Sequence, residues 1–273
     1  MKNKENFYLF HSVKRNIYYT YIRFIRKFVW FFNQNTTPQF LFILSPPYCG
    51  STMLNQLLSS SENVSCNNNL GTREGQLLPV VSKYMFQSDR WDETVTYQWA
   101  EVKKIWMKYW DFSKPIFLDK SIPNIIRVEE IEKVFSPVKF MCMVRNPYAQ
   151  VEGIMRRNNQ DAFSSAMFAV KCLKFQNLNR KRNNTLFFSY EQLCSNEEDV
   201  LKKMINFVPE LSDIDVEMKF TSHNFKSNKK MRMVNLNEEK ISNISDIDLK
   251  VINSIFEKEK DLLKIFDYKI ITR

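Results

Sequence analysis

The chain has 273 residues, 44% of them hydrophobic, and a formal net charge of +10. That length accommodates one α/β domain or two small ones with a sizeable core, and such a charge suits a polyanionic ligand or an acidic membrane. Only two histidines (His11, His223) and five cysteines with no CxxC pair argue against a histidine-rich or structural metal site, and they predict reduced thiols in a cytoplasmic protein.

Residues 1–37 hold seven of the basic residues against Glu5 alone. Within them, residues 12–32 read as an amphipathic helix. Ile17, Tyr18, Tyr21, Ile22, Phe24, Ile25, Phe28, Val29, Phe31 and Phe32 fall on one broad face, with Arg15, Asn16, Arg23, Arg26 and Lys27 opposite. Such a helix either packs on its domain or lies in a membrane interface. No secretory signal and no apolar run of roughly 18 residues is present, which predicts a cytoplasmic protein, peripheral at the inner membrane if residues 12–32 lie in the interface rather than on the domain.

Residues 38–273 read as one domain. Phe40 to Leu44 is a continuous apolar run, as in a strand buried on both faces. Ser45-Pro46-Pro47-Tyr48-Cys49-Gly50 cannot continue a strand, and Ser51-Thr52 opens a helix with apolar Met53, Leu54, Leu57 and Leu58. A strand, tight loop and helix N-terminus direct N–H groups at one spot and suit a phosphate; a hydroxyl-capped core helix is the plainer alternative. Gly50 is followed by Ser51 where a Walker loop needs Lys, and the four glycines form no GxGxxG. Val64–Cys66 is a short strand. Helices are expected over 77–86 and 94–110, the second with a stripe of Val95, Trp99, Val102, Trp106 and Trp110 that reads as core or as a cover over the site. Ile116–Leu118 is a strand ending in Asp119-Lys120-Ser121, and a helix follows from Pro123. Strands over 139–144 and 185–189, and helices from 147, over 162–180, 197–208 and 245–266, complete the pattern. Alternating strands and helices predict a central parallel sheet flanked by helices.

Four segments resemble the sulfotransferases that use 3′-phosphoadenosine 5′-phosphosulfate (PAPS). Pro47, Gly50, Ser51 and Thr52 are similar to that family's P-[KR]-S-G-[ST]-T loop. VRNPYAQVEGIMRR resembles its strand ending in Arg-x-Pro, LFFSYEQLCSNEEDVL its strand–YE-x-L–helix, and IFLDKSIPNIIRVEEIEKVF a helix that precedes the Arg-x-Pro strand. The resemblance implies a P-loop-NTPase-like sulfotransferase fold with an added N-terminal helix. It implies transfer of a sulfuryl group from PAPS to a hydroxyl or amine, on a carbohydrate or lipid-linked glycan, with PAP as product and no metal. It further implies that Tyr48, Cys49, Gly50, Ser51 and Thr52 hold the 5′-phosphosulfate and Arg145 the 3′-phosphate. Lys229 and Arg232, in the basic 226–232 loop, would contact the nucleotide. Glu74, in Gly71-Thr72-Arg73-Glu74-Gly75, resembles the base of the protein-tyrosine enzymes, although an ion pair with Arg73 or another cation also suits it.

Two positions depart from the family pattern. Tyr48 replaces a Lys or Arg that neutralises the leaving group, and Gly153 replaces a Ser that binds the 3′-phosphate. Lys120, at a strand end, would supply the missing charge, or would be a plain surface lysine. The alternatives are a PAP-binding relative without turnover, another nucleotide-dependent transferase, or a nucleic-acid-binding protein for which only the charge speaks.

Overall fold

The computed structural model describes residues 2–86, 89–221 and 230–273. Its helices and strands run in the order α1 (Lys2–Phe32), β1 (Gln39–Leu44), α2 (Ser51–Leu58), β2 (Val64–Cys66), α3 (Ser82–Met85), α4 (Trp99–Trp106), β3 (Ile116–Asp119), α5 (Val128–Val134), β4 (Val138–Val144), α6 (Pro147–Asn158), α7 (Ala162–Asn179), β5 (Thr185–Ser189), α8 (Tyr190–Ser195) and α9 (Glu197–Phe207). A strand pair follows, β6 (Phe220–Thr221) and β7 (Lys230–Met231), then α10 (Asn237–Ser242), α11 (Asp246–Phe256) and α12 (Lys260–Ile265).

Five strands form one all-parallel sheet in the order β2-β3-β1-β4-β5. β1 is its centre, and Leu41 to Leu44 are at most 1% exposed because helices cover both faces. Leu41 and Ile43 pack with α2, α8 and α9, whereas Phe40, Phe42 and Leu44 face α4 and α5. The strands predicted from apolar runs therefore form, and in a parallel sheet. β1 and β4 lie side by side, and the chain leaves β1 for one edge and β4 for the other. Such a reversal opens a crevice at the C-terminal ends of the two strands. The segments 45–50 and 145–147 meet there.

Three sequence expectations are corrected. The helix expected over 77–86 is a 3-10 turn (Gly75–Leu77) and the four-residue α3. Pro79 lies inside that run, so Leu78 is extended (ψ 147°) as a residue before proline prefers to be. The helix expected over 94–110 shortens to α4, and its Trp99, Val102, Trp106 and Trp110 are core, packed around Phe135 and Phe42. The helix expected over 245–266 breaks after Phe256 into α11 and α12.

α1 uses its two sides differently. Tyr19 is buried, Tyr18, Ile22 and Val29 pack on the core, and Arg26 pairs with Asp111. The other side leaves Ile17, Tyr21, Phe24, Phe28 and Phe31 at 60–68% exposure. The broad apolar face read from the sequence is thus split, and Arg26 belongs to the packed side rather than to a basic one. No helix among the described residues is long and apolar enough to cross a membrane.

Candidate active site

The loop after β1 is shaped by a left-handed turn. Tyr48 has φ 65° and Gly50 φ 91°. A side chain at position 50 would stand 2.9 Å from the Tyr190 ring, so glycine is required there twice over. The first bonds of α2 run from the Met53 and Leu54 N–H groups to the Gly50 carbonyl, at 3.0 and 3.2 Å. The N–H groups of Ser51 and Thr52 precede them and have no acceptor within the helix. Cys49 lends this loop only its main chain, because its side chain is buried in the core. Burial pushes its thiol up to about 12, which keeps it neutral. Tyr48 turns its ring onto α6, and its hydroxyl donates to Asn158 Oδ1 at 2.5 Å.

Beside the loop, three of the residues singled out above converge. Lys120 Nζ, just past β3, lies 3.2 Å from Thr52 Oγ1 and 3.2 Å from Glu74 Oε1. Lys120 is 2% exposed and Glu74 7%, so Lys120 is no surface lysine. Burial lowers the lysine's proton affinity, and the Glu74 carboxylate opposes that shift. Arg73 does not pair with Glu74; it turns back to Asn55 and Asn69 and ties the 71–75 loop to α2. Asp119 sets the height of Glu74. Its wholly buried carboxylate accepts from the Gly75 N–H at 3.1 Å, Asn67 at 2.9 Å, Asn124 at 2.7 Å and the Ser121 N–H at 2.9 Å. Burial raises its proton affinity, and these donors counter it. Trp106 Nε1 donates to the Gly75 carbonyl at 3.1 Å, so the core stripe also supports the Glu74 loop.

Arg145, at the end of β4, is 5% exposed. Its Nε donates to Asn237 Oδ1 at 2.6 Å and its Nη1 to the Tyr48 carbonyl at 3.2 Å. The guanidinium lies 4.0 Å above the Tyr190 ring, the same ring that supports Gly50. Asn237 is held in turn by Glu191, which also accepts from the Asn146 N–H and the Tyr268 hydroxyl. The Tyr190-Glu191 pair therefore carries Arg145 from below and from the side. Arg145 Nη2 is buried and has no acceptor. A buried guanidinium N–H without a partner is costly, and an anion at this position removes the cost.

Arg232 is not brought to this cluster; it is exposed and pairs with Glu217 at 3.2 Å. His223, Lys226 and Lys229 lie outside the described residues. The sequence reading missed the positioning roles of Asp119 and Asn237. Asp119 ends an apolar strand beside Lys120, which was a usable signal. Asn237 sits far along the chain in a polar stretch and offered none.

A five-stranded parallel sheet flanked by helices, with a glycine-turned loop at the reversal between β1 and β4, defines an α/β fold with a crevice at the C-terminal ends of its central strands. The chain belongs to the sulfotransferase family, whose model matches residues 38–210. That family uses PAPS. Among solved structures, the sulfotransferase domain of the curacin biosynthetic pathway is 15% identical, covering 86% of this chain and 100% of that one, with a TM-score of 0.51. The sulfotransferase domain of the Synechococcus PCC 7002 olefin synthase is 18% identical, with 86% and 97% coverage and the same score of 0.51. Mouse sulfotransferase SULT7A1, complexed with PAP, is 15% identical with 85% and 89% coverage and a TM-score of 0.45. At these identities the likeness to the curacin and olefin synthase domains is one of fold alone. No curated protein matches the chain.

Proposed function

We propose that this sulfotransferase moves a sulfuryl group from PAPS to a hydroxyl of a glycan or lipid-linked acceptor presented at a membrane surface. The observation that carries the reading is the joining of half-buried Thr52 with the buried Lys120 and Glu74 in one cluster beside the loop. PAPS supplies the sulfuryl group and a phosphate leaving group. The residues present suit it: the Ser51 and Thr52 N–H groups and hydroxyls for the 5′-phosphosulfate, and Arg145, with its unsatisfied Nη2, for the 3′-phosphate.

Glu74 takes the proton of the acceptor hydroxyl, so that the oxygen can attack. Lys120, which touches both Thr52 and Glu74, stabilises the negative charge gathering on the leaving-group side. In this reading Lys120 does the work of the basic residue that position 48 lacks, since the Tyr48 hydroxyl is committed to Asn158. Transfer of label from PAPS to an acceptor in a carbohydrate and lipid-linked glycan panel tests the reading. The expected result is transfer by the wild-type chain and a large loss in Lys120→Ala. Full transfer by Lys120→Ala contradicts the role given to that residue.

The exposed side of α1 bears on where the acceptor is met. Phe24, Phe28 and Phe31 lie within about 60° of one another on the helix, with Lys27 and Arg23 on one flank and Lys14 on the other. An apolar stripe edged by cations matches an anionic lipid surface. The packed side of the same helix reaches the site: the Tyr19 hydroxyl donates to Asn68, whose side chain donates to the Glu74 carbonyl. Exchange of Phe24, Phe28 and Phe31 for Ser is expected to weaken binding to anionic vesicles at least tenfold in a sedimentation assay and to leave PAP affinity unchanged. Equal vesicle binding by this variant would remove α1 from the account.

A further inference from the structure

Lys240, on α10, has no part in the reading above, yet its setting is unusual. Its side chain is 12% exposed, and its Nζ lies 3.5 Å from Glu152 Oε2 and 3.4 Å from the Ala149 carbonyl. Both contacts are long for hydrogen bonds. Glu152 is shared, because Arg156 pairs with it as well. The groups facing Lys240 are Arg145 from the end of β4, Glu152 and Arg156 from α6, and the neutral Cys49 from the loop after β1. Lys240 thus stands among two other cations, Arg145 and Arg156, and touches one carboxylate, Glu152; Glu191 on α8 faces Arg145 through Asn237, and Arg145 Nη2 has no acceptor. Burial, followed by the nearby Arg145, pushes the Lys240 ammonium down to about 8. The Lys240–Arg145 side of this cluster therefore holds a loosely paired ammonium and a buried N–H donor without an acceptor.

The residue beneath it explains why the cation comes from α10. A side chain at position 153 would lie 2.8 Å from Tyr48 Cβ, 2.9 Å from Tyr48 Cγ and 3.2 Å from Lys240 Nζ. The Tyr48 ring and the Lys240 ammonium together fill the space over α6 that a residue other than glycine would need. Tyr48, Gly153 and Lys240 are therefore one packing unit: the ring excludes a side chain at 153, and the lysine reaches the same spot from the other side. Arg145 joins the unit through the Tyr48 carbonyl. We propose that Lys240 Nζ and Arg145 Nη2 together bind the 3′-phosphate of PAPS, with Lys240 supplying the contact that position 153 cannot. This assignment rests on the reading of Arg145 given under Proposed function.

The test is calorimetric titration of the full chain with PAP and with AMP, which lacks the 3′-phosphate. Lys240→Met keeps the stem of the side chain and removes the charge. It is expected to weaken PAP about 10- to 100-fold, the loss of one charge-assisted hydrogen bond, and to leave AMP unchanged. Lys240→Arg is expected to restore most of the preference for PAP. A second readout is protonation. An ammonium held by phosphate keeps its proton, so above about pH 8 the wild-type chain must take up a proton on binding PAP. Its affinity should then fall by up to tenfold per pH unit, and Lys240→Met should show neither effect. Unchanged PAP preference and unchanged proton uptake in Lys240→Met overturn the assignment alone. A wild-type chain that does not distinguish PAP from AMP overturns the reading of Arg145 and this assignment together.

Discussion

Glu74→Gln is expected to lower sulfuryl transfer by roughly 10²–10⁴-fold while PAP affinity stays within about twofold, because a positioned base contributes on that scale. Glutamine keeps the shape and an oxygen for Lys120 but cannot take the acceptor proton. The same change exposes the energetics of the buried pair. Lys120 and Glu74 are 3.2 Å apart with almost no solvent access, so removing the carboxylate leaves an uncompensated ammonium. Breaking such a pair from one side costs about 3–5 kcal/mol. The direction with pH is fixed by linkage. Burial already lowers the Lys120 proton affinity, and loss of Glu74 lowers it further. The unfolded chain then binds more protons than the folded one between the folded and ordinary lysine values, so the variant should gain stability as pH rises through that window. The double variant Glu74→Gln/Lys120→Met, with both charges gone, should recover stability and not activity. Full transfer by Glu74→Gln, with stability as in the wild type, would remove Glu74 from the mechanism.

Arg145→Ala is expected to reduce PAP affinity by about 3–4 kcal/mol, roughly 10²–10³-fold in Kd, with AMP affinity little changed. The guanidinium makes two hydrogen bonds, to Asn237 and to the Tyr48 carbonyl, and stacks on Tyr190. Those contacts orient it; the remaining Nη2 is the group left for ligand. A calorimetric titration comparing PAP and AMP separates the two contributions. If Arg145→Ala lost AMP and PAP affinity equally, the residue would be a support for the loop rather than a phosphate ligand.

Much of the fold was legible because the central strands are buried on both faces. Runs such as Phe40–Leu44 and Phe140–Val144 must then be apolar without interruption, and the sequence shows that directly. The loop was legible for a related reason: two prolines stop the strand, and Gly50 alone fits against Tyr190 at φ 91°. The failures have equally local causes. Pro79 and the left-handed Val80 break a run that hydrophobic spacing alone presents as a helix. α1 shows one broad apolar face on a wheel, but half of it meets the core through Tyr19 and half is left to solvent, a division that depends on where the domain lies. The site itself was legible only as separate residues. Thr52, Glu74 and Lys120 come from three elements, and periodicity carries no sign that they touch. The departures at Tyr48 and Gly153 looked independent in the sequence. They are one contact, because the ring at 48 occupies the space above 153.

The measurement that tests the account most directly is calorimetric titration of the wild-type chain with PAP, with AMP, ADP and ATP as comparisons. The account predicts one site selective for PAP, since the unsatisfied Arg145 Nη2 meets an anion only when the 3′-phosphate is present. Absence of PAP binding by well-folded protein, or equal binding of all four nucleotides, would contradict it.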